Sequence, residues 1–286
     1  MLASVPRVLA ALALAALAPA QQTDWLLDPS PYRARLREEG DQLVLENGLI
    51  RLRIQQEPLA LVGFEQLTAG QQLLRAAAPL GEFTVDGAVE RVGGLIGQPN
   101  RAFLLPEWLE QMARDPAAIP GPARVLGDGD IAARIDWRQT RHASPRAVWP
   151  PRGRHVSWRV DAGDHEVVVH LQVYDGLPLF CHWLEWRNTG DRSRTIDRFT
   201  SLRLPVVEAE SRVEPQRTGV MLPNLYVETD FSFHAMTGAD GSSHCVRWTT
   251  DPEFGTQVNY RKETLCVLDV GPELGPSQTV APGGTF

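Results

Sequence analysis

His170 and His182 lie on the two arms of a hairpin whose turn is Asp175-Gly176, which places them nearly opposite one another. A histidine pair beside a carboxylate is the equipment of general acid–base chemistry. Imidazole titrates near neutrality, and its two nitrogens can take up and deliver a proton. The competing reading is a pair of histidines on the more polar face of a sheet, the commoner fate of a half-buried histidine. His165 is out of phase with His170 on an ideal strand and is expected on the other face.

A second group runs through Asn224, Tyr226, Glu228, Asp230 and His234, with Phe231 and Phe233 interleaved. If the chain is extended there, Asn224, Tyr226, Glu228 and Asp230 share one face. Aromatic rings beside amides and carboxylates suit the C–H faces and hydroxyls of sugars, or a surface that docks on another domain. An ordinary strand end and loop is the plainer alternative. Of the eight tryptophans, most are expected in the core. Trp149, in the loop Ala147-Val-Trp-Pro-Pro151, is the better ligand candidate, and Trp183 and Trp186 are out of phase, so they face opposite ways. Cys245 and Cys266 fall on consecutive strand-like segments and are a possible disulfide, while Cys181 is expected as a buried free thiol. No Cys-x-x-Cys pair suggests zinc, and no G-x-S-x-G, Walker, H-E-x-x-H or dinucleotide fingerprint is present. No metal or cofactor is expected. Lys262, the sole lysine, is a weak candidate for Schiff-base chemistry.

The elements that must position these residues read as strands. Leu43 and Leu45, then Ile50, Leu52 and Ile54, alternate about Asn47-Gly48, a strong hairpin signal. Phe83, Val85 and Val89 flank Asp86-Gly87. Ile135 and Trp137 alternate, as do Val156, Trp158 and Val160. Val167 to Val173 line one face of a long strand, followed by Leu179 to Arg187, Ile196 to Val207, His244 to Trp248 and Thr256 to Val270. A short helix is expected near 106–114, opened by Pro106, and another near Tyr32–Glu38. Ile119 to Asp130 reads as a Gly/Pro loop. Short strands joined by turns, without β-helix-β alternation, predict an all-β fold: a large antiparallel two-sheet β-sandwich. The chain of 286 residues carries a net charge of −7, too acidic for a nucleic-acid binder. Residues 1–20 read as a secretory signal peptide, with one arginine, a short apolar run and Ala18-Pro-Ala20. Residues 21–41 then form a polar extension and 42–286 the sandwich domain. A secreted or periplasmic location with no membrane span after signal removal follows from that reading, and the sequence leaves the oligomeric state open.

Several segments resemble the N-terminal domain of α-galactosidase-like glycoside hydrolases (family 36 and bacterial relatives). They are Leu45-Glu-Asn-Gly-Leu-Ile-Arg51, Val92-Gly-Gly-Leu-Ile-Gly-Gln-Pro99 with Pro106-Glu-Trp108, and Pro223 to Asp230. Tyr174-Asp-Gly-Leu-Pro178 with Trp183 to Gly190 resembles a hairpin of galactose-mutarotase-like supersandwiches. The resemblance implies a supersandwich that precedes a (β/α)₈ barrel carrying two catalytic carboxyl groups about 5 Å apart. No position here matches that pair, so no catalytic residue is carried over. The strand pattern reaches Phe286, and the chain is expected to be a fragment, a split product or a short homologue. The expected role is a carbohydrate-associated domain without activity of its own, partnered by a carbohydrate or by a barrel. A mutarotase-like epimerase using His170 or His182, and a free-standing carbohydrate-binding module, are the alternatives.

Overall fold

The computed structural model describes residues 24–132, 145–146, 148–208, 225–229, 244–257, 259 and 261–286. The signal-like segment and the Ile135–Trp137 alternation lie outside them. The described residues are all-β, apart from a six-residue 3₁₀ helix at Pro106–Gln111 and a 3₁₀ position at His244.

A first meander runs through β1 (Arg35–Glu39), β2 (Gln42–Glu46), β3 (Ile50–Gln56), β4 (Leu59–Gln66) and the short β5 (Gln71–Gln72), every neighbour antiparallel. Next come β6 (Glu82–Val85), β7 (Ala88–Arg91) and the two-stranded pair β8 (Leu95–Ile96) and β9 (Ala113–Arg114). A second meander comprises β10 (Ala123–Asp130), β11 (Gly153–Asp161), β12 (His165–Tyr174) and β13 (Phe180–Asn188). The chain then adds β14 (Arg194–Thr200), β15 (Leu202–Pro205), β16 (Val246–Thr250), β17 (Leu265–Val270) and β18 (Pro276–Val280). These build sheets of order β18-β14-β6-β7 and β15-β17-β16.

Turn chemistry fixes the hairpins. Asp86 and Gly87 both take positive φ (49° and 81°), the two-residue loop whose twist matches its strands. At β2–β3 only Gly48 does so (φ 86°), because Asn47 works differently. Its side chain accepts the N–H groups of Leu49 and Ile50 and donates to the carbonyls of Tyr174 and Leu177. That asparagine therefore ties the first meander to the turn of the second.

Ladders continue between the sheets. Leu61 bridges Ala78, and Leu74 bridges Val206, so the stretch after β5 pairs with β4 on one side and with the β14–β15 line on the other. A single residue, Ser201, separates β14 from β15. At the far edge of β13, Trp186 and Phe286 exchange both backbone hydrogen bonds. One apolar cluster takes side chains from both meanders and the β6–β14 sheet: Leu45, Leu52 and Ile54, then Phe83 and Ile196, then Trp158, Val169 and Trp186.

Four expectations need correction. Tyr32–Glu38 is not helical: Arg35–Glu39 is the edge strand β1, so the sheet starts ahead of Gln42. The helix near 106–114 is a six-residue 3₁₀ turn that gives way to β9 at Ala113, and it buries none of its residues. Ile119–Asp130 is not all loop, since Ala123–Asp130 is β10, an edge strand exposed along most of its length. Thr256–Val270 is strand only from Leu265.

Candidate functional site

Alternation divides the second meander into two faces. Even residues of β11, odd residues of β12 and even residues of β13 point into the apolar cluster: Val156, Leu171 and His182 in one row, Trp158, Val169 and Leu184 in the next. The opposite face carries His155 on β11, His170 on β12, and Cys181, Trp183 and Glu185 on β13.

This register corrects the expected histidine pair. His170 sits opposite Trp183, and His182 opposite Leu171, so His170 and His182 are on different faces. Both ring nitrogens of His182 are sealed from solvent. Burial pushes its pKa down to about 4, against a smaller upward pull from the Leu80 carbonyl. His182 is a half-buried histidine with enclosed ring nitrogens, neutral at physiological pH. Its titration makes stability fall only in acid, as pH drops through the unfolded value toward 4, because the unfolded chain takes up that proton first. A His182→Leu variant is expected to lose part of the wild type's decline in unfolding midpoint between pH 6 and 4, read by urea denaturation. An unchanged pH profile would contradict it.

The partner of His170 is His155. Their Nε2 and Nδ1 atoms stand 3.0 Å apart, and His170 Nε2 lies 3.4 Å from Glu185 Oε1. The imidazole–imidazole bond needs a proton on one of the two facing nitrogens, and a carboxylate only accepts, so a proton on His170 Nε2 is the one that suits Glu185. Trp183 stacks on His170 with ring centroids 4.4 Å apart and planes 1° from parallel, and on His155 at 5.3 Å. Glu185 also accepts from Arg187 at 2.9 Å, and Arg187 reaches Glu166 at 3.2 Å. Buried Gln172 and Ser157 fill neighbouring positions of this face. The arrangement is an ordered imidazole–indole stack edged by a carboxylate. Its members come from three adjacent strands. His155 was not a sequence candidate, because its approach to His170 depends on the register of β11 against β12.

The other candidates scatter. Leu225 and Val227 pack on the core while Tyr226 and Glu228 face out, and the Tyr226 hydroxyl donates to Glu228. The alternation expected there therefore holds for the residues described. Asn224, Asp230 and His234 lie outside the described residues. Trp149 is half-buried in a bend ahead of β11. Cys245 and Cys266 are both free and buried, contrary to the possible disulfide. Cys245 stands beside Gly271, whose N–H it accepts, while Cys266 lies five residues along β17, roughly 15 Å away at strand rise. Cys181 is a half-buried free thiol on the polar face, not a core one. Gly93 and Gly94, read above as turn chemistry, have a packing reason: a Cβ on Gly93 would lie 2.0 Å from the Leu59 carbonyl oxygen, which accepts the Gly94 N–H.

No family model, curated protein or solved structure matches this chain. Among the described residues, no group of three or more His, Cys, Asp or Glu side chains is placed to hold a metal ion. No helix among them is long and apolar enough to cross a membrane.

Proposed function

We propose that the chain is an exported, carbohydrate-associated β-sandwich domain of the α-galactosidase-like kind, which binds sugar without turning it over. In this reading the two meanders are the facing layers of a supersandwich. The isolated bridges Leu61–Ala78, Leu74–Val206 and Arg187–Thr285, which tie neighbouring sheets together, support it.

The observation that carries the functional part is the polar face of β11–β13. His155, His170, Trp183 and Glu185 offer flat rings, N–H donors and a carboxylate within one patch. Sugars take such chemistry, with C–H faces against rings and hydroxyls against charged acceptors. The same observation weighs against the epimerase alternative. Proton transfer at a sugar ring needs an acid and a base on either side of the substrate. Here the imidazoles bond to each other and reach the carboxylate directly, which leaves no sugar-sized gap between them.

Titration calorimetry of the purified chain with galactose-containing oligosaccharides tests the reading. Wild type is expected to bind at micromolar to millimolar Kd with no release of aryl α-galactosides. Trp183→Ala is expected to weaken binding at least tenfold, about 1.4 kcal/mol, while keeping the wild-type circular dichroism. Hydrolysis lost on removal of one carboxylate would sink the proposal. Accelerated anomeric interconversion, abolished in His170→Ala, would replace it with the epimerase.

A further inference from the structure

We propose that His165, clamped as an imidazolium between Asp164 and Glu90, is a pH-released latch that holds strand β7 against the second meander. The geometry assigns the charge. His165 is 2% exposed, its Nδ1 lies 2.8 Å from Asp164 Oδ1 and its Nε2 lies 2.7 Å from Glu90 Oε2. Asp164 takes the Nδ1–H in a hydrogen bond, while Glu90 meets Nε2 at ion-pair distance outside hydrogen-bond geometry, so two carboxylates flank one buried ring and favour its doubly protonated, charged form.

The surroundings agree. From β14, Arg194 pairs with Asp164 and with Asp86; the bond from His165 and then the Arg194 charge hold the Asp164 carboxyl below the usual range. From β13, Trp186 stacks on the imidazole at 5.0 Å and Asn188 lies opposite in the ladder. Burial alone would push the His165 pKa down; the contacts with Glu90 and Asp164 overturn that and leave it raised.

Deprotonation has an unequal effect on the two contacts. Asp164 retains Arg194. The ring then keeps its N–H for one carboxylate and turns a lone pair toward the other. Glu90 stands on β7, which lies last in its sheet, at the edge: among the described residues it pairs along its length with β6 and on the other side only through Arg91, which bridges Ala118. The contact from His165 crosses from the second meander to that edge. Because the folded pKa is the higher one, the latch is complete below the unfolded histidine value of about 6.5 and is lost as pH rises through the folded value. This device is independent of the sugar face, since His165 points away from His170.

Nitrogen NMR of the His165 ring tests it directly in the wild-type chain. The ring is expected to titrate with a midpoint above that of an ordinary histidine, with both nitrogens protonated below that midpoint. Glu90→Gln is expected to lower that midpoint. Amide exchange at Ala88–Arg91, corrected for intrinsic pH dependence, is expected to speed up roughly tenfold across the titration in wild type and not in His165→Gln. A midpoint at or below that of an ordinary histidine would overturn the latch, as would β7 exchange that ignores the titration. The NMR readout needs no variant, so a misfolded substitution leaves the test intact.

Discussion

Asp251→Ala is expected to destabilise the chain by about 3–5 kcal/mol, the effect of removing one partner from a buried ion pair. Arg75 is wholly buried. Its guanidinium donates to Asp251 at 2.6 Å, to the carbonyls of Val206 and Arg101 at 3.0 and 2.8 Å, and to the Cys266 sulfur at 3.3 Å, and it lies 4.3 Å over the Phe254 ring. Without Asp251 that charge keeps its neutral acceptors and loses its counter-ion, with no route to water. Arg101, which also reaches Asp251 at 3.2 Å, has a partner left in Glu253 and can turn outward. A loss of this size is a large share of the roughly 5–15 kcal/mol by which domains are stable. Replacing both partners, as in Arg75→Met with Asp251→Leu, is expected to cost less than Asp251→Ala alone. Urea unfolding of the single and double variants decides it; a double variant weaker than the single would refute the account. The pair also predicts acid sensitivity. Burial alone would raise the Asp251 pKa, but the bonds from Arg75 and Arg101 hold it below the usual carboxylate range. Its contribution is therefore present above the unfolded value of about 3.9 and is lost as pH falls through the lower folded one.

Trp186→Ala is expected to cost about 3–5 kcal/mol, the range for removing a large aromatic from a packed core. Trp186 is 0% exposed, lies opposite Val167 in the ladder, stacks on His165 and belongs to the cluster that joins both meanders. Three residues earlier, Trp183 lies on the polar face and is half-buried. Trp183→Ala is expected to cost about 1–2 kcal/mol, near the worth of its ring stacking plus partial burial. Thermal unfolding of the two variants side by side checks the contrast. Similar losses would mean that strand phase does not separate structural from ligand-facing tryptophans here.

That contrast was legible in the residue order, because the period of a strand is two and an odd spacing forces opposite faces. So were the Asp86-Gly87 and Asp175-Gly176 hairpins, where the turn residues' own φ preferences decide the outcome within a few residues. Strand β4 was harder to see. Its run Leu59-Ala-Leu-Val-Gly-Phe64 is buried throughout, so it shows no alternation. Strand β1 is polar and exposed, and reads as a helix as easily as an edge.

The sequence by itself determined the all-β class, the main hairpins and which side chains of each strand stand together. Those properties follow from local backbone preference and from the alternation of apolar and polar residues. Only the tertiary structure decided which strands meet and in what register. The β12–β13 loop sets His170 against Trp183, not His182, and one residue of slip would have moved every side chain to the other face. Loop length and strand pairing likewise brought His155 to His170, Glu90 to His165 and Asp251 to Arg75, and kept Cys245 from Cys266. These contacts join residues 15 to 176 positions apart. They are chosen by the shared burial of whole sheets, a sum over many side chains that no single motif encodes.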